Sequence, residues 1–131
     1  MLVGVAKETA AGERRVALVP DGVSRLAESG VDVAVEKGAG TDASFADEAY
    51  EAGGARIRES VLGEADVVCK VQKPSSDEIR RLREGSTLIG LLQPLVNAEL
   101  AQALAERGVT SFSMDSIPRI TRAQPMDALS S

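Results

Sequence analysis

The sequence predicts a parallel, doubly wound α/β sheet domain of about five strands, and three observations carry that expectation. Short apolar runs and amphipathic runs alternate from one end of the chain to the other. The run "ADVVCKV" (65–71) is almost continuously hydrophobic, as a strand covered on both faces must be. Each pair of parallel strands also needs a crossover, and the intervening amphipathic runs supply it. With 131 residues, 44% of them hydrophobic, the chain has the length and apolar material for one domain around one core.

The elements follow in order. "LVGVA" (2–6) predicts a buried first strand. "DGVSRLAESG" predicts a helix that starts after Pro20, buries Val23 and Leu26 at (i, i+3) spacing and stops at Gly30. "VDVAVE" (31–36) is the second strand, "DEAYEAGGA" (47–55) a short helix closed by a glycine pair, and "ADVVCKV" the third strand. In "SDEIRRLREG" (76–85), Ser76 suits an N-cap, Asp77 and Glu78 suit the first turn, Arg83 the last, and Gly85 the stop. "STLIGLL" (86–92) is the fourth strand. "NAELAQALAERG" (97–108) is a helix capped by Asn97 and ended by Gly108, and "VTSFSMD" (109–115) is the fifth strand. A last helix opens at about residue 124, with Pro125 at its first position, Asp127 in its first turn, and Met126 and Leu129 beginning an apolar stripe. Seven residues follow Gln124, against a mean helix of about 11–12, so that helix reads as unfinished.

Composition excludes several functions. A net charge of -5 and a pI near 4.8 leave too little cationic surface for a phosphate-backbone binder, so no nucleic-acid partner is expected. No run of about 18 apolar residues spans a bilayer, and "MLVGVAKE" is too short and too soon charged for a signal peptide, so no direct membrane insertion is expected either. Histidine is absent, which removes the commonest general base and the commonest metal ligand; no metal site is expected. The aromatic residues are Phe45, Tyr50 and Phe112, too few for base stacking. Cys69, alone in "DVVCKV", reads as a small buried hydrophobe.

In open parallel sheets ligands bind beyond the carboxyl ends of the strands. That singles out "KETAAGERR", "EKGAGTDA", "KVQKPSS", "LLQPLVN" and "DSIPRITRAQ". "GAGTDA" (38–43) fits the letter of a dinucleotide fingerprint, but it follows the second strand and Glu36 closes that strand. It reads as a turn in which Gly38 and Gly40 supply unusual backbone angles. Lys7, Glu8, Glu13, Arg14 and Arg15 form either a solvated loop or an anion site. Lys70 and Lys73 read first as surface charges, and Gln93 as a group that holds rather than reacts. In the tail, Arg119, Arg122, Gln124, Asp127 and Ser130 are either caps and surface charges or a set able to grip a carboxamide, which needs both donors and acceptors.

The motifs "VGVAKET", "GERRVALVP", "VEKGAG", "AGGARI", "ADVVCKVQKP", "LIGLLQP" and above all "SIPRITRAQPMDALSS" resemble, in order and over essentially the whole chain, one family. It is the N-terminal domain shared by alanine dehydrogenase and the alpha subunit of proton-translocating NAD(P) transhydrogenase. The resemblance implies a Rossmann-like first domain at 1–131, with the helix from about 124 starting the link to a second domain that carries the true fingerprint and binds NAD(H). It implies that Arg119, Asp127 and Ser130 hold the nicotinamide carboxamide and that Gln124 meets the NADP(H)-binding component during direct hydride transfer, with Gln124 positioning the nicotinamides and no side chain acting as acid or base. It also implies a homodimer, a membrane proton-channel component in the same enzyme, and a cytoplasmic place peripheral to the inner (plasma) membrane. Within the family, alanine dehydrogenases carry a second lysine where this chain has Gln72 and a catalytic histidine where it has Gln93, while Arg15 is kept. The transhydrogenase branch is therefore expected, ahead of an alanine dehydrogenase and of a non-catalytic subunit-binding module, and the chain by itself is expected to be inactive.

Overall fold

Six short strands lie in one parallel sheet in the computed structural model, which describes residues 1–90 and 98–113. The strands are β1 (Leu2–Val5), β2 (Asp32–Glu36), β3 (Arg56–Arg58), β4 (Val67–Lys70), β5 (Thr87–Gly90) and β6 (Thr110–Ser113), in the spatial order β3-β2-β1-β4-β5-β6. Every neighbouring pair is parallel, and the order reverses between β1 and β4. The helices are α1 (Pro20–Glu28), α2 (Asp47–Ala52), α3 (Ser76–Arg81) and α4 (Ala98–Arg107).

Period-two alternation sends side chains to two cores. Val5, Val33 and Val35 point to one face, where Val23 of α1 and Tyr50 of α2 cover them. Ala34, Val68 and Leu88 point to the other, under Ile79 of α3, Leu82 and Leu104 of α4. The sheet is thus doubly wound, as expected from the alternation of runs. Burial pushes the Tyr50 phenol up to about 12, and its hydroxyl donates to the Leu18 carbonyl at 2.8 Å, which fixes the end of the long β1–α1 loop.

The strand count differs from the expected five. β3 is the addition: in "RIR" only Ile57 is apolar, and the strand occupies an edge where one partner and half-burial suffice. The third helix also differs at both ends. Ser75, not Ser76, is its cap: the Ser75 hydroxyl accepts the Glu78 N–H at 3.2 Å while the Glu78 carboxylate accepts the Ser75 N–H at 2.9 Å. The helix stops at Arg81 because Leu82 turns extended and buries its side chain in the core. Gly85, beyond it, has φ +87 in the turn into β5. Asn97 and the helix expected from about 124 lie outside the described residues.

The β3–β4 crossover carries no α-helix. Residues 59–66 lie directly on the sheet, with Val61, Leu62 and Ala65 buried against it. Gly4 makes that possible: a Cβ there would stand 2.8 Å from the Cβ atoms of both Val61 and Ala65. Asp66 then closes the crossover by accepting the Leu2 N–H at 2.7 Å and pairing with Arg83. The N–H bond, before the arginine, holds its carboxyl below the usual range.

Gly4→Ala should therefore destabilise the domain by about 1–3 kcal/mol through overpacking. Gly22→Ala, in the first turn of α1 with only the Leu18 Cδ2 at 3.5 Å, should be neutral or stabilising by up to about 1 kcal/mol. Urea unfolding followed by circular dichroism measures both, and equal midpoints for the two variants would contradict the close approach at Gly4.

Candidate functional site

At the reversal point, β1 and β4 end side by side and their loops leave toward opposite faces, one to α1 and the other to α3. That divergence opens a crevice at the carboxyl end of the sheet. Glu8 lies where the two strands end. Its carboxylate accepts the Val71 N–H at 2.8 Å, the Gln72 N–H at 3.0 Å and the Lys70 ammonium at 3.2 Å. Lys70 also faces Glu78 at 3.7 Å. The Lys70 and Glu8 side chains are only 2% and 3% exposed, so this is a buried charge cluster.

Lys70 is thus not the surface charge expected of it. Alternation gave a usable signal: Lys70 shares a strand face with Val68, which is fully buried. What the sequence hid was its counter-charge, since Glu8 is 62 positions away. A lysine in such a place needs a carboxylate, because removing one partner of a buried pair costs about 3–5 kcal/mol.

From this cluster the polar contacts run outward. The Gln72 side-chain amide donates to Glu13 at 2.6 Å. Arg15 meets the same carboxylate as a fork, Nε at 2.9 Å and Nη2 at 2.8 Å, and adds its own backbone N–H at 2.7 Å. The Arg15 side chain is foremost and the Gln72 amide next in holding the Glu13 carboxyl well below the usual carboxylate range. Glu13 in turn raises the already high pKa of Arg15. Arg15 remains 63% exposed, so the crevice presents a guanidinium at its mouth.

Of the loop charges named from the sequence, Glu8, Glu13 and Arg15 therefore come together with Lys70 and Gln72. Lys7, Arg14 and Lys73 are exposed. Arg119, Gln124, Asp127 and Ser130, together with Arg122 and Gln93, lie outside the described residues. Glu78 was named only as a helix residue, although its place in a capping box is a local signal. Burial pushes the Cys69 thiol up to about 11, which suits a packing group.

The glycine turn after β2 is structural. Gly38 has φ +80, but Gly40 differs from expectation: its backbone is ordinary, and it is required because a Cβ would stand 2.6 Å from the Tyr50 ring. The Gly38 N–H is taken by Asp47, the Ala39 N–H by Glu36 and the Thr41 N–H by Gly38. With four of its amides engaged, those of Gly38, Ala39, Thr41 and Ala43, this turn is not built to receive a dinucleotide pyrophosphate. At the reversal point the Glu8 carboxylate occupies the amides beyond β4. Among the described residues no group of three or more His, Cys, Asp or Glu side chains could hold a metal ion, and no helix is long and apolar enough to cross a membrane.

The family described as "Alanine dehydrogenase/PNT, N-terminal domain" matches residues 4–131. The chain is 46% identical over 134 residues to the NAD(P) transhydrogenase subunit alpha of Cereibacter sphaeroides, covering 100% of this chain and 26% of that protein. It is 41% identical over 119 residues to the alanine dehydrogenase of Bacillus subtilis, covering 89% of this chain and 32% of the relative. The solved structure of the transhydrogenase from Sinorhizobium meliloti superposes with a TM-score of 0.89 at 42% identity, over 99% of this chain and 40% of that one. The chain thus spans between about a quarter and two-fifths of the proteins it matches.

Because the folded-state pKa of Glu13 is depressed, its contribution to stability is present above the ordinary glutamate pKa and is lost as pH falls through the lower folded value. Carbon-detected NMR should find Glu13 still ionised at about pH 4, where an unperturbed glutamate is about half protonated. Arg15→Met should return it toward the ordinary range. A Glu13 that titrates with the other glutamates would contradict the fork geometry.

Proposed function

From the premise that the chain belongs to the alanine dehydrogenase/PNT N-terminal domain family, we propose that it is part of the NAD(H)-binding component of proton-translocating NAD(P) transhydrogenase. The observation that carries this reading is the chemistry of the crevice. It offers an amide, Gln72, and a guanidinium, Arg15, neither of which exchanges a proton near neutral pH, in a chain with no histidine. Direct hydride transfer between two nicotinamides asks a protein for position and electrostatics rather than for an acid or base. Oxidation of an amino acid would ask for one, and that favours the transhydrogenase branch over the alanine dehydrogenase branch.

In the proposed enzyme the rest of the subunit binds NAD(H) in a second domain, reached through the helix that starts at about residue 124. Arg119, Asp127 and Ser130 hold the nicotinamide carboxamide in the cleft between domains, and Gln124 meets the component that carries NADP(H). The subunit pairs as a homodimer on the cytoplasmic side of the inner membrane, peripheral to the proton-channel component, and transfer is coupled there to proton translocation. Family membership and the transhydrogenase alpha subunits that match over the whole of this chain support the choice of enzyme, while the residue roles rest on the likeness of "SIPRITRAQPMDALSS" to that family.

The complete subunit, mixed with its NADP(H)-binding component, should reduce an NADP analogue at the expense of NADH, and the 131-residue chain alone should not. Gln124→Ala should lower the transfer rate by roughly 100-fold while NADH binding is retained, as expected for a displaced near-attack geometry. Oxidation of L-alanine with NAD by the complete subunit, with no transfer to the NADP analogue, would replace this reading with the alanine dehydrogenase one.

A further inference from the structure

We infer that Glu8 is a positioning residue: it fixes the loop after β4 and, through Gln72 and Glu13, sets where the Arg15 guanidinium stands at the mouth of the crevice. The inference deepens the proposed function and rests on it for the meaning of that crevice, but its geometry stands on the contacts alone.

The first step is the grip of Glu8 on two successive backbone N–H groups, those of Val71 and Gln72. Binding both amides fixes the local backbone of the loop and with it the direction in which the Gln72 side chain leaves. The second step is the 2.6 Å bond from that side chain to Glu13 Oε1. The third is the fork of Arg15 on Glu13. Glu8 and Arg15 do not touch; the Glu8 charge acts on the guanidinium through space, in the direction that raises its pKa, and the contact path between the two runs through Gln72 and Glu13.

Donor and acceptor counting separates the holders from the presented group. Glu13 Oε1 takes Gln72 Nε2 and Arg15 Nη2, and Oε2 takes Arg15 Nε and the Arg15 backbone N–H. All of the roughly four lone-pair sites of a carboxylate are thereby engaged. Glu8 is likewise committed to Lys70, Val71 and Gln72. Arg15 is different: its fork uses two of about five guanidinium N–H donors, and the remaining ones have no hydrogen-bond partner among the described residues. The two carboxylates hold, and the guanidinium is what they present.

Labelling of the complete subunit with phenylglyoxal, mapped by mass spectrometry, reads this directly, because the reagent attacks a deprotonated guanidine and a fork to a carboxylate keeps the group protonated. In the wild-type protein Arg15 should react several-fold more slowly than its neighbour Arg14. Glu8→Gln should raise the Arg15 rate several-fold toward that of Arg14, Gln72→Ala should do the same, and the double variant should add little to either, as for residues acting along one path. Arg14 and Arg25, outside the relay, should keep their wild-type rates in every variant. Glu8→Gln with Lys70→Met removes both charges of that buried pair together, leaving Glu78 its capping-box bond to Ser75, and replaces the single change if that unfolds the protein. Unchanged Arg15 labelling in these variants, with Glu13→Gln still raising it, or a Glu8→Gln effect that persists in full on the Gln72→Ala background, as a through-space charge effect would, overturns the inference and leaves the Arg15–Glu13 pair as a purely local contact. NADH-dependent reduction of an NADP analogue is measured on the same preparations. Its absence from the wild-type enzyme would sink the proposed function while leaving the labelling result to judge the relay.

Discussion

Three donors converge on the Glu8 carboxylate where β1 and β4 end, and much of the carboxyl end of the sheet depends on that convergence. Lys70 completes a strand whose alternate side chains enter the core, so its ammonium is carried out of water by the fold itself. Without a carboxylate beside it the charge would be buried unpaired, at a cost of several kcal/mol. The same carboxylate satisfies the first two amides of the loop beyond β4, which the sheet no longer pairs. One side chain therefore neutralises a charge, satisfies a strand end and joins two loops that diverge to opposite faces.

That arrangement also decides what the reversal point cannot be. In a nucleotide-binding α/β sheet the amides at this place face a phosphate, usually through a tight glycine turn leading straight into a helix. Here residues 6–19 separate β1 from α1, and across the reversal point the Glu8 carboxylate takes the amides of Val71 and Gln72 beyond β4. The fold has the strand order of a dinucleotide domain without the tight glycine turn that leads its first strand straight into a helix. What remains exposed is a cation, Arg15, oriented by a carboxylate that has no bonding capacity left. Such a surface suits one wall of a cleft whose ligand is held elsewhere.

The fold was legible in the sequence where burial is two-sided and local. The parallel sheet, the α1 helix, which begins at Pro20 itself rather than after it, and the structural nature of the glycine turn all follow from runs of apolar residues and from the residues that bound them. β3 was hidden because an edge strand with one apolar residue has no two-sided burial to announce it. The charge cluster was hidden for another reason. Glu8, Lys70 and Gln72 meet only through strand pairing across more than 60 positions, and no local pattern encodes that distance. Gly40 shows a third case: a requirement for glycine was legible, but its cause, the ring of Tyr50, exists only after the α2 helix has docked.

The absence of histidine and the closed electrostatics of the crevice belong together. An active site that moves protons needs a group whose charge changes near neutral pH, and such a group must be left with unsatisfied capacity. Glu8 is paired with Lys70 and with backbone N–H groups, Glu13 is held well below the usual carboxylate range, foremost by Arg15, and Gln72 and Arg15 do not titrate in that range. What pairing gives instead is fixed position. A half-buried polar network is stiff where its members are paired, because each holds its neighbour in place and displacement exposes an unpaired group in a low-dielectric setting. Hydride transfer between two bound nicotinamides depends steeply on their separation and alignment and needs no proton at the transfer step. A wall whose charges are paired and held in place is what such a reaction asks of the domain facing it, so the pairing that leaves this crevice without a histidine-like proton carrier is the same feature that fits it to the proposed role.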